Sequence, residues 1–124
     1  MNEILTQDKP IYLQLSEMIE TDILRGVFEE EERVPSTNEL AKLYAINPAT
    51  SAKGINLLVD EGTLYKKRGI GMFVATGAKE RIIKKRKQAF RDNYVKSMLE
   101  EASHLGIGLE ELIQMITVEQ NMED

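Results

Sequence analysis

VPSTNELAKLYAINPATSAKGINLLVDEG, residues 34–62, holds two helix starts in close succession. Val34 precedes a proline, and such a residue avoids the helical region, so the chain enters the stretch extended. Ser36 and Glu39 have the Ser-x-x-Glu spacing of a capping box, in which each side chain satisfies an orphaned backbone amide at a helix start. Leu40, Ala41, Leu43 and Tyr44 supply the apolar face of the helix that follows. Ala45-Ile46 make a short turn. Asn47 is a good N-cap and Pro48 suits the first helical position. The next helix is expected to run to about Glu61 with Ala52, Ile55, Leu58 and Val59 inward, and Gly62 ends it.

Upstream, PIYLQLSEMIETDILR (residues 10–25) places Ile11, Leu15, Met18, Ile19, Ile23 and Leu24 at helical spacing, opened by a proline and closed by Gly26. The charged FEEEER that follows reads as a loop. On the other side, Leu64–Lys67 and Met72–Val74 alternate in the period of a strand, and Arg68-Gly69-Ile70-Gly71 between them is a turn with two glycines. The first 75 residues therefore read helix, helix, tight turn, helix, hairpin: a winged helix-turn-helix, mostly α with a small β-hairpin. From about Ala78 the pattern is helical again. Ile82, Ile83, Phe90, Tyr94, Val95, Met98, Leu99, Ala102 and Leu105 return to one face, and Gly106–Gly108 break it. Leu109, Leu112, Ile113 and Ile116 make one more short helix, with the final NMED expected to fray. The expected division is residues 1–76, a winged helix-turn-helix domain, and residues 77–124, a helical dimerisation region.

The second helix of such a motif enters the major groove with its N-terminal residues against base edges. Here those are Asn47, Pro48, Ala49, Thr50, Ser51 and Lys53, small or polar side chains that permit close approach. Thr50, Ser51 and Lys53 can bond phosphates or base edges, Asn47 can if its capping role permits, and Ala49 can lie against a thymine methyl. At the hairpin tip, Lys66, Lys67 and Arg68 stand beside Gly69 and Gly71; long cations reach phosphates, and glycine lets backbone come close.

Charge supports that placement. The net charge of −5 looks wrong for a nucleic-acid binder, but residues 63–96 carry 11 basic and 2 acidic side chains, against 5 and 12 in residues 1–62 and 0 and 7 in residues 97–124. A basic block within an acidic chain attracts a polyanion in one orientation. The absence of cysteine removes disulfides, thiolate catalysis and cysteine-ligated zinc, and suits a reducing cytosol. The first ten residues lack the features of a signal peptide, and no apolar run is long enough to span a membrane. These features imply a cytoplasmic location. The lone His104 lies near a helix end, and no phosphate loop, metal-ligand spacing or nucleophile elbow occurs. No enzyme, cofactor or metal is expected.

Residues 10–74 also resemble the N-terminal domain of GntR-type bacterial transcription regulators. The matching features, in order, are Pro10 and Gln14, Gly26, Arg33-Val34-Pro35-Ser36, Glu39-Leu40-Ala41, Leu58-Val59-Asp60-Glu61-Gly62, and Arg68-Gly69-Ile70-Gly71-Met72-Phe73-Val74. The resemblance implies sequence-specific binding of double-stranded DNA and adds Arg33, Ser36, Thr37 and Asn38 to the DNA-facing residues. The tail of ~50 residues is short for an effector domain and resembles the YtrA-type subfamily, whose reduced C-terminal region dimerises. Asn47-Pro48-Ala49-Thr50 is similar to that subfamily's recognition-helix start. The chain departs from the family where arginines are common, with Asn38, Pro48 and Ala52 in their place, so weight shifts to Thr50, Lys53 and the wing.

A helix over residues 79–104 would span roughly 39 Å, too long to bury its apolar stripe on a domain of this size. A homodimer is the simplest cover, joined through Phe90, Tyr94, Met98, Leu105, Leu109, Leu112, Ile113 and Ile116. The implied function is a homodimeric repressor of a nearby operon, such as one for a transporter, acting at an inverted repeat. Alternatives are a helix folded back on its own domain, a winged-helix module that binds protein, and a sensor whose unidentified small-molecule effector lies in a dimer-interface pocket lined by Phe90, Tyr94, Met98 and Met115.

Overall fold

A computed structural model describes residues 5–123 of the chain. The order is α1 (Ile11–Leu24), β1 (Arg33–Val34), α2 (Thr37–Leu43), α3 (Pro48–Asp60), β2 (Leu64–Lys67), β3 (Gly71–Val74), α4 (Ala78–Phe90), a π-helical segment (Arg91–Val95), α5 (Lys96–His104) and α6 (Leu109–Glu123). Two compact units result, residues 1–84 and 85–124.

The first unit is the expected winged helix-turn-helix. Ser36 and Glu39 form the full capping box, and Asn47 caps α3 through its side chain with Pro48 at the helix start. Between the two helices, Ala45 takes a left-handed φ of 52°, where a side chain is disfavoured. Leu15, Ile19 and Ile23 of α1, Leu40 of α2, and Ile55 and Leu58 of α3 make one core with Val34, Leu64 and Val74 of the sheet. Burying a side chain of this size stabilises by about 1.5–3 kcal/mol. Leu43 departs from its expected inward place and is 63% exposed: at about 100° per residue it lies off the face shared by Leu40, Ala41 and Tyr44, which pack on the core.

The sheet has three strands where a two-stranded hairpin was expected. Arg33 pairs with Phe73 and Val34 with Met72, so β1 lies antiparallel to β3, in the order β1-β3-β2. In the hairpin, Tyr65 faces Phe73 and Lys67 faces Gly71. The core also runs past residue 76: Ala78 and Ile82 of α4 are buried in it. Arg81 reinforces the junction by donating to the Gly62 carbonyl at 2.8 Å.

In the second unit, the helix expected over residues 79–104 is not uniform, because Arg91–Val95 widens to a π turn. Asp92 sits in that turn between Lys96, at 3.0 Å, and Gln88, at 3.3 Å. The Lys96 contact, then Gln88, holds its carboxyl below the ordinary value. The stretch expected to fray is helical through Glu123, with Asp124 outside the described residues. Among the described residues of both units, no helix is long and apolar enough to cross a membrane.

Candidate nucleic-acid interface

The reading end of α3 is built by capping. The Asn47 Oδ1 accepts from the Ala49 amide at 2.7 Å, so that oxygen is occupied at the helix start. Pro48 and Ala49 are exposed beside it and Thr50 is half-buried. Ser51 is not available to DNA. It has no exposed surface, and its hydroxyl donates to the Thr37 carbonyl at 2.8 Å, tying α3 to the first turn of α2. The expectation that Ser51 contacts DNA is corrected on that ground.

At about 100° per residue, Ala49, Lys53, Asn56 and Asp60 share the side of α3 opposite Ser51, Ile55 and Leu58. All four are exposed. Asn56 was missed in the sequence reading, yet its place three residues after Lys53 and seven after Ala49 puts it on that same face. An asparagine amide can pair with an adenine edge. Lys53 is exposed, with its Nζ 4.1 Å from the centroid of the Tyr12 ring on α1.

Arg33 links the helix pair to the wing. Its Nη2 lies 3.2 Å from the Glu39 Oε1, which also accepts from the Ser36 amide at 3.0 Å. Those bonds, the Ser36 amide foremost, hold the Glu39 carboxyl below the usual carboxylate range. Across the sheet, a Cβ on Gly71 would stand 2.7 Å from the Arg33 Nε, so the arginine side chain passes close over this glycine at the turn end of β3. Asn38 is exposed and Ser36 and Thr37 are half-buried alongside.

The cations of the wing differ in their surroundings. Lys67 places its Nζ 4.3 Å from the Phe73 ring centroid, where it braces the Tyr65–Phe73 ring pair. Lys66, Arg68 and Gly69 are exposed at the tip. Ile70, absent from the expected contacts, is 63% exposed among them. At the root of the wing, the Glu31 carboxylate accepts from the Tyr65 hydroxyl and, at 2.6 Å, from the Thr76 hydroxyl. The Thr76 bond first, then Tyr65, holds the Glu31 carboxyl below its usual value, and Glu31 in turn raises the Tyr65 hydroxyl.

On the second unit, Phe90, Tyr94, Met98, Leu105, Leu109, Ile113 and Ile116 are all exposed, by 37% to 67%. The Phe90 and Tyr94 rings lie 5.5 Å apart. Leu112 differs: at 7% exposure it is already covered within its own chain, which corrects its expected place at a partner surface. Among the described residues, no group of three or more His, Asp and Glu could hold a metal ion.

This geometry agrees with comparisons to known proteins. The model for bacterial regulatory proteins of the gntR family matches residues 11–74, just over half of the chain. The HTH-type transcriptional repressor YtrA of Bacillus subtilis (strain 168) is 28% identical over 107 residues, 86% of this chain and 82% of YtrA. That likeness extends beyond the winged helix, as the resemblance to the YtrA type implied. A GntR-family transcriptional regulator from Bacteroides thetaiotaomicron has a solved structure that superposes with a TM-score of 0.80 at 38% identity, covering 92% of this chain and 99% of that one. AraR(DBD), solved in complex with operator ORX1, superposes with a TM-score of 0.56 at 34% identity, covering 59% of this chain and 95% of that one. With its capped recognition helix, cationic wing and family match in agreement, the chain is a DNA-binding transcription regulator, not an enzyme, and belongs to the GntR family of bacterial regulatory proteins.

Proposed function

We propose that the chain is a homodimeric repressor that binds an inverted-repeat operator near the genes it controls. Two copies pair through the second unit, and each lays α3 in a major groove with its wing on the flanking backbone. The observation that carries this reading is the apolar surface of residues 85–123. There Phe90, Tyr94, Leu105 and Leu109 are each more than half exposed, while only Ala102 and Leu112 are buried apolar residues. An uncovered surface of this kind marks an interface, and a symmetric pair is the commonest way to cover one. Repression as the sense of regulation is supported by the likeness to YtrA, itself a transcriptional repressor. Ala49, Thr50, Lys53 and Asn56 read or position at the groove, with Asn47 and Pro48 presenting them. Lys66 and Arg68 neutralise phosphates, and Arg33 and Asn38 border the same face.

Sedimentation equilibrium of the chain, followed by footprinting on DNA from upstream of its own gene, tests the reading. A dimer that protects two symmetric half-sites, with binding that weakens steeply as salt rises, supports it. A monomer, or a chain that binds no such DNA at low salt, removes it.

A further inference from the structure

Lys53 is the only cation of α3. Its ammonium lies 4.1 Å from the centroid of the Tyr12 ring. The residue after it, Gly54, packs close to the backbone of the same tyrosine, since a Cβ there would stand 2.9 Å from the Tyr12 carbonyl oxygen. Two consecutive residues of the recognition helix thus rest on one residue of α1, the ring under Lys53 and the backbone under Gly54. Tyr12 is half-buried on α1, whereas an exposed lysine left alone samples many rotamers. A cation over an aromatic face at an exposed site favours that one arrangement by about twofold to fivefold. The ammonium held there keeps its N–H donors free for an anion on its outer side.

We propose that Tyr12 is a positioning residue for DNA recognition. It holds the Lys53 ammonium at the α1 edge of the outward face of α3, set for a backbone phosphate. α1 thereby contributes to DNA affinity through Lys53, without itself entering the groove. The inference rests on α3 being the recognition helix.

The test begins without DNA. In NMR spectra of the intact chain, the Lys53 ε-methylene protons are shifted upfield by the ring current of Tyr12. Tyr12→Phe preserves that shift and Tyr12→Leu abolishes it. Unshifted protons in the wild type overturn the proposal, whatever the variants do. Affinity is then measured for a duplex that the wild-type chain selects from a random pool. Tyr12→Phe binds as the wild type does, Tyr12→Leu binds about twofold to fivefold more weakly, and Tyr12→Leu adds no loss in a Lys53→Gln background. An equal loss in both backgrounds overturns the proposal, because the tyrosine then acts independently of Lys53. So does a Tyr12→Phe defect matching Tyr12→Leu, which would put the hydroxyl on DNA, and so does tighter binding by Tyr12→Leu. Lys53→Gln with unchanged affinity overturns Lys53 as a contact of the recognition helix, an outcome distinct from loss of the ring-current shift. Should Tyr12→Leu fail to fold, the wild-type shift and the Tyr12→Phe affinity still decide.

Discussion

Gly54→Ala isolates the contact that sets α3 against α1. In an ordinary helix interior the change stabilises, since alanine is favoured over glycine by about 1 kcal/mol. Here the added Cβ meets the Tyr12 carbonyl oxygen at 2.9 Å and the Leu15 side chain at 3.3 Å and 3.5 Å. The nearest of these is backbone, which cannot rotate away, and Leu15 is fully buried in the core. The helices must separate by a few tenths of an ångström, and overpacking of this kind costs about 1–3 kcal/mol. Packing exceeds propensity, and the expected net loss is about 1 kcal/mol. For a domain of this size that is a fall in Tm of about 4–8 °C. Thermal unfolding followed by circular dichroism reads it directly, with Ala52→Gly on the same helix setting the propensity scale. A Tm above the wild type refutes the reasoning, because it means α3 takes the methyl as any exposed helix would.

Three further outcomes follow from the same geometry. Ala45→Gly relieves the left-handed φ of 52° in the turn of the motif and raises the unfolding free energy by up to about 1 kcal/mol, less the added freedom of glycine in the unfolded chain, which reads as a higher urea midpoint; a lower midpoint contradicts it. Glu31 has a folded-state value below its ordinary 4.5, so its bonds to Thr76 and Tyr65 stabilise fully above that pH and are lost as pH falls through the lower folded value. Glu31→Gln therefore flattens the acid limb of the stability curve below about pH 4.5, and an unchanged limb counts against the wing-root clamp. Lys66→Ala weakens binding to all sequences alike and reduces the salt slope by about 0.9; a change in sequence preference instead would move Lys66 from phosphate to base.

Much of the fold is local chemistry and was legible for that reason. Ser36 with Glu39, and Asn47 with Pro48, carry their helix starts within a few residues, and the glycines at 69 and 71 mark their own turn. What was not legible depends on partners distant in sequence. The two residues of β1 become a strand only because β3, some forty residues later, lies alongside. The π turn at Arg91–Val95 has no comparable local signature. Leu43 keeps a helical spacing but lies to the side of the face that Leu40, Ala41 and Tyr44 turn to the core. In the site, Ser51 and Asn56 could have been sorted by periodicity, since Ser51 is one turn before the inward Ile55 and Asn56 one turn after the outward Lys53. The ring of Tyr12 under Lys53 could not, because it needs the approach of α1 to α3.

Whether a two-fold pair of winged helices reads an inverted repeat is decided by selecting bound DNA from a random pool. The pool converges on an inverted repeat whose half-site centres lie about one helical turn apart, roughly 10–10.5 base pairs, or a multiple of it. A pool that fails to converge, or that converges on a single site without two-fold symmetry, contradicts the two-fold pair.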